Sequence, residues 1–121
     1  MARILVIEDD DRARELYREM LERAGYEVMC AVDGVEGSKA FREDPVDVVV
    51  TDLFMPKQDG VETIRDLRSD YPDIKVLAIT GVRGRFSRLP AAETVGAQRT
   101  LVKPFGMEDM LKALEELLDE A

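Results

Sequence analysis

Five short apolar runs, spread along the whole chain, constrain its fold more than any other feature. They are "RILVI" (3–7), "EVMCA" (27–31), "DVVVT" (47–51), "KVLAIT" (75–80) and "RTLV" (99–102). Each has strand length, and segments of helical period separate them. After the first run, Ala13, Leu16, Tyr17, Met20, Leu21 and Ala24 recur at i, i+3, i+4, i+7, i+8 and i+11, a single apolar stripe. Asp10 or Asp11 can cap the start of that helix and Gly25 its end. "DGVEGSKAFRED" gives a second, weaker helix stopped near Pro45. A third runs from Gly60 to Asp70 with Val61, Ile64 and Leu67 inward. The last runs from Met107 to Glu120, with Met107, Met110, Leu111, Leu114, Leu117 and Leu118 on one face. The fourth segment, "RFSRLPAAETVGA", is the poorest, because Pro90 lacks a backbone donor and clashes with the preceding turn unless a helix starts there. It should be short, irregular or mobile.

Strands that read as continuous Val/Ile/Leu runs, alternating with helices, predict an α/β fold: a doubly wound, five-stranded parallel sheet with helices on both faces. The 121 residues make one domain, 1–121, with no linker-like stretch. There are 26 acidic against 17 basic residues, a net charge of −9, which argues against direct nucleic-acid binding. The opening "MARILVIEDD" is too short an apolar run for a signal peptide, and no segment reaches membrane-spanning length. A soluble, cytoplasmic protein with no membrane insertion is expected. The single cysteine, Cys30, rules out an internal disulfide and reads as a small buried hydrophobe.

In such a sheet, ligands sit beyond the carboxyl ends of the strands, where the strand order reverses. The first run delivers Glu8, Asp9 and Asp10 to that edge, the second Asp33, the third Asp52, the fourth Thr80 and Gly81, and the fifth Lys103 and Pro104. Strand ends are commonly polar because loops are wet. Acids from three strands with one hydroxyl and one lysine are more selective, and Glu8, Asp9, Asp52, Thr80 and Lys103 should converge. Converging carboxylates repel, and a hard dication such as Mg²⁺ relieves this while keeping sites for phosphate oxygens. Lys103 adds a point charge suited to a phosphate or carboxylate. Asp52 stands alone on the central strand, which makes it the favoured nucleophile.

The stretches "ILVIEDD", "DVVVTDLFMPKQDG", "VLAITG" and "LVKPF", in this order and spacing, resemble the receiver (CheY-like) domain of two-component response regulators. That resemblance spans nearly the whole chain and implies the flavodoxin-like strand order 2-1-3-4-5. It implies Asp52 as phospho-acceptor, taking a phosphoryl group from a histidine kinase or histidine phosphotransfer protein. It implies Mg²⁺, or Mn²⁺ in its place, held by Asp9, Asp52 and the backbone carbonyl of Phe54, with Glu8 acting through water. Thr80 matches the switch hydroxyl, Lys103 the lysine that pairs with the phosphoryl group, and Lys103-Pro104 a peptide bond that is commonly cis. The resemblance makes the chain a self-assisting phospho-acceptor rather than an enzyme in the ordinary sense.

The chain departs from the family pattern in two respects. Thr100 stands where the second switch residue is usually Tyr or Phe, so signalling through that face must run by backbone and helix shifts. Phe54 and Val82 occupy positions that tune self-dephosphorylation; both are apolar, so neither side chain can orient a water, and a long-lived phosphoryl form is expected. Arg83, Arg85, Arg88 and Arg99, against Glu93 alone, make residues 82–99 basic, which reads as a solvated loop or as the contact for a downstream protein. Two rival readings stand beside the phosphorylated switch. One is a receiver-like interaction module that works without phosphate, disfavoured by the full set of Asp52, the acids and Lys103. The other is a flavodoxin-like carrier or enzyme, disfavoured because acids follow the first strand in place of a phosphate loop.

Overall fold

The computed structural model describes residues 2–53, 59–81, 89–94 and 96–119. Strands and helices alternate from end to end: β1 (Arg3–Ile7), α1 (Asp11–Arg23), β2 (Glu27–Ala31), α2 (Gly34–Glu43), β3 (Val48–Asp52), α3 (Gly60–Asp70), β4 (Lys75–Thr80), α4 (Leu89–Thr94), β5 (Arg99–Val102) and α5 (Met107–Asp119). All pairings are parallel and the sheet order is β2-β1-β3-β4-β5. The predicted strand bounds hold to within a residue; β3 starts one residue later than expected and includes Asp52 as its last member.

The central strands β1, β3 and β4 alternate their side chains between two cores, and both cores are apolar, which is why these runs show no polar alternation. Leu5, Ile7, Val49, Val76 and Ala78 face α2, α3 and α4. Ile4, Val6, Val48, Val50, Leu77 and Ile79 face α1 and α5. At roughly 25 cal/mol per Å² of apolar surface removed from water, these two layers dominate the stability of the sheet.

Local chemistry fixes the helix starts. Asp10 caps α1 by accepting from the Ala13 N–H at 2.9 Å, Asp33 caps α2 through Glu36 at 2.8 Å, and Asp59 caps α3 through Glu62 at 2.9 Å. Helix α1 closes on Gly25, whose φ of 97° lies in the left-handed region that glycine tolerates. Helix α4 has six residues, with Pro90 in its first turn, where a missing N–H is harmless. The expected length of that element agrees, while its expected mobility concerns residues partly outside those described. The turn after α4 is fastened from α3: Arg68 donates to the carbonyls of Gly96 (2.6 Å) and Pro72 (2.7 Å).

Four burial expectations fail. Leu16 is 54% exposed and Met107 is 44% exposed, and Ala24 is also exposed, so the α1 and α5 stripes are wider in sequence than the surface that covers them. The buried members are Tyr17, Met20 and Leu21 on α1, and Met110, Ala113, Leu114 and Leu117 on α5. Cys30 is exposed rather than buried, because β2 is an edge strand and only its Ala31 is fully covered.

Candidate functional site

The strand order reverses between β1 and β3, the neighbours from which the chain passes outward to β2 on one side and β4 on the other. Glu8 follows directly on β1, and its N–H donates to Ala31 O at 3.1 Å, which continues the ladder one step past Ile7. Asp52 closes β3, opposite Ile79 in register. Both carboxylates are nearly sealed from water, at 1% and 7% exposure. Lys103 follows β5, where its backbone N–H donates to Thr80 O at 2.7 Å and ties the ends of β4 and β5 together.

The lysine ammonium is the hub. Lys103 Nζ donates to Asp52 Oδ2 at 2.8 Å and to Glu8 Oε1 at 3.0 Å, joining residues from three strand ends. Burial and the neighbouring Asp52 charge push the Glu8 carboxyl up to about 7, against the pull of Lys103. Burial works against the Lys103 charge, but the hydrogen bonds it donates to Asp52 and Glu8 outweigh this and raise the lysine above its ordinary value. The carbonyl of Glu8 accepts from Arg14 Nη1 at 2.9 Å and its carboxylate from the Asp10 N–H at 3.3 Å, so the backbone here is held from α1. Tyr17 and Phe105 stack beside this cluster with ring centroids 5.9 Å apart.

The remaining site residues named from sequence fall at the same edge in different settings. Thr80 is fully buried at the end of β4. Asp9 is exposed, and Thr100 is half-buried on β5 opposite Ala78. The Lys103–Pro104 bond is cis. Phe54, Val82, Arg83, Arg85 and Arg88 lie outside the described residues. Arg99 is described, and its guanidinium lies 3.5 Å from Glu116 of α5.

Among the described residues no three acidic, His or Cys side chains stand together as a metal cage. What exists is a pair, Glu8 and Asp52, short of positive charge, with exposed Asp9 next along the chain. A hard cation that keeps most of its waters asks for one or two carboxylates, so this donor set fits Mg²⁺.

Sequence reasoning missed Gly60. A Cβ there would lie 2.8 Å from Leu53 Cα, and Gly60 N donates to Leu53 O at 3.2 Å, so α3 begins in direct backbone contact with the end of β3. The glycine directly behind a capping Asp was the available signal.

A parallel sheet of this order, with buried acids and a lysine meeting at its reversal point, defines a CheY-like receiver fold. The chain belongs to the response regulator receiver domain family, whose model matches residues 4–115. It is 40% identical to the response regulator MprA of Mycobacterium ulcerans over 116 residues, which is 96% of this chain and 50% of the relative. The chain thus spans about half the length of the curated relatives it matches. A crystal structure of a response regulator receiver domain protein from Clostridium thermocellum is similar with TM-score 0.91 and 32% identity, covering 98% of this chain and 95% of that one. The response regulator TrrA from Thermotoga maritima, crystallised with Mg²⁺ and BeF, is similar with TM-score 0.89 and 31% identity, covering 98% of this chain and 100% of that one. No helix among the described residues is long and apolar enough to cross a membrane.

Proposed function

We propose that Asp52 is the phospho-acceptor of a cytoplasmic signalling switch, loaded by a histidine kinase or a histidine phosphotransfer protein. The Lys103 ammonium shared between buried Asp52 and Glu8 carries this reading. An Asp52 carboxylate oxygen attacks phosphorus; the O–P bond forms as the P–N bond to the donor imidazole breaks, and the electron pair leaves with the ring nitrogen. Glu8, Asp9, Asp52 and the Phe54 carbonyl are the residues that would hold Mg²⁺. When bound, Mg²⁺ supplies positive charge against the carboxylates and the phosphoryl oxygens. Lys103 then exchanges its bond to the Asp52 carboxylate for one to a phosphoryl oxygen, and the Thr80 hydroxyl donates to another.

Thr100 offers no ring to rotate with Thr80, so output runs through shifts of the β4–α4 and β5 backbone toward a downstream protein, with Arg83, Arg85, Arg88 and Arg99 as its contact. Apolar Phe54 and Val82 leave the phosphoryl group long-lived. Of the four large hydrophobics exposed among the described residues, Val32 follows β2, Val35 and Met107 lie in the first turns of α2 and α5, and Leu16 lies midway along α1; the first three are near the carboxyl edge of the sheet, where a kinase would dock.

Intact mass after incubation with Mg²⁺ and a small phosphodonor tests the acceptor. One phosphoryl group should be gained, lost on chelation and absent from Asp52→Asn. The same gain on Asp52→Asn would move the acceptor elsewhere and end this reading.

A further inference from the structure

The opposite end of the sheet carries a second concave site. Where β3 and β4 begin, α2 and α3 diverge from α5 and leave a groove of about 530 Å³, within the usual size of a binding cleft. Its apolar lining draws on both cores: Phe41, Ile74 and Tyr71 belong to the α2–α3 side and Leu118 to the α5 side. Phe41 and Tyr71 meet edge-on with centroids 4.8 Å apart, which makes a rigid aromatic wall.

The charges around it are lopsided: Asp47, Asp70 and Asp73 against Lys75. Asp47 accepts from the Arg3 N–H at 2.7 Å, with the Arg3 guanidinium in electrostatic reach but hydrogen-bonded to Asp44, and Asp70 is paired with Arg42. An anionic occupant would face this excess of carboxylates, which excludes nucleic acid and phosphate. An uncharged apolar occupant would strip water from the carboxylates without replacing it. A second copy meeting the same face would set these aspartates against their own images. What fits is a cation joined to an apolar body.

We infer that this groove docks a peptide segment of a partner protein in which basic and bulky apolar residues alternate. The groove lies a full strand length, on the order of 17 Å, from Asp52, so docking there leaves the phosphoryl site open. It therefore gives the domain a second contact that does not depend on phosphorylation.

The test uses ¹⁵N–¹H correlation spectra of the full chain, titrated with the capped pentapeptide Arg-Leu-Arg-Phe-Arg and with Glu-Leu-Glu-Phe-Glu. The basic peptide should give saturable shifts clustered at Val46, Asp47, Tyr71, Asp73, Ile74 and Leu118, and the acidic peptide none. Reversal of the rim in Asp47→Lys/Asp73→Lys should weaken binding roughly tenfold, and the milder Asp73→Asn should weaken it less, with both spectra remaining dispersed. Shifts centred on Glu8 and Asp52, unsaturable shifts across the surface, or unchanged affinity in a folded Asp73→Asn would each overturn the assignment.

Discussion

Lys103 holds two buried carboxylates at the meeting point of three strand ends, and its removal leaves them to repel one another in a nearly dry setting. Lys103→Met should therefore lower the unfolding free energy near neutral pH by about 1–3 kcal/mol in chelator, with Mg²⁺ recovering part of the loss. Urea unfolding with and without Mg²⁺ measures both; equal stability of variant and wild type in chelator would show that the ammonium is not what holds the pair. These residues were legible in the sequence because each follows an apolar run, and a polar side chain at that place must lie on the sheet edge. Their differences were not legible. Glu8 and Asp9 are adjacent and chemically alike, yet one is sealed and the other exposed, because successive residues leaving a strand point to opposite sides. Gly60 read as the start of the third helix, while it acts by close approach to Leu53, a contact at which the glycine behind a capping Asp hints without naming the partner.

Elements are joined at the lower edge of the sheet by Arg3, which reaches from β1 to Asp44 after α2, with Nη2 to Oδ2 at 2.6 Å. The hydrogen bond from Arg3 holds the Asp44 carboxyl below its ordinary range. A carboxylate with a depressed folded pKa stabilises the fold above its unfolded value and loses that contribution as pH falls through the folded one. Asp44→Asn should thus melt slightly below wild type at neutral pH, the gap closing below about pH 4; a gap that persists in acid would assign the effect to packing. Arg68 does a similar job for α4, and its loss in Arg68→Met should remove about 1 kcal/mol of local stability. Several-fold faster amide exchange at Gly96 and Ala97 is the readout, and unchanged exchange would mean the turn holds itself. The strands were readable because two-sided burial leaves unbroken apolar runs, and Pro90 announced the short α4. The misassigned positions, Leu16, Ala24, Met107 and Cys30, share one cause. Periodicity reports which way a residue points on its own element, not whether a neighbouring element reaches far enough to cover it.

The molecule as a whole is two apolar layers separated by one sheet. Ile64 of α3 belongs to one layer and Ile79 of β4 to the other. Ile64→Val and Ile79→Val should each cost about 0.5–1.5 kcal/mol. The double variant should equal their sum to within about 0.5 kcal/mol, since the two side chains belong to different apolar layers. A larger coupling in denaturant titrations would mean that the layers repack together through the strands. The layering also sets an order of events during synthesis. The face of the sheet formed by Ile4, Val6, Val48, Val50, Leu77 and Ile79 is roofed by α1 and by α5, and α5 supplies Met110, Leu114 and Leu117. Until residues 107–119 have left the ribosome, much of that face stands bare to water and to other nascent chains. The growing polypeptide is then a natural client for chaperones, and it becomes self-sufficient only when α5 arrives.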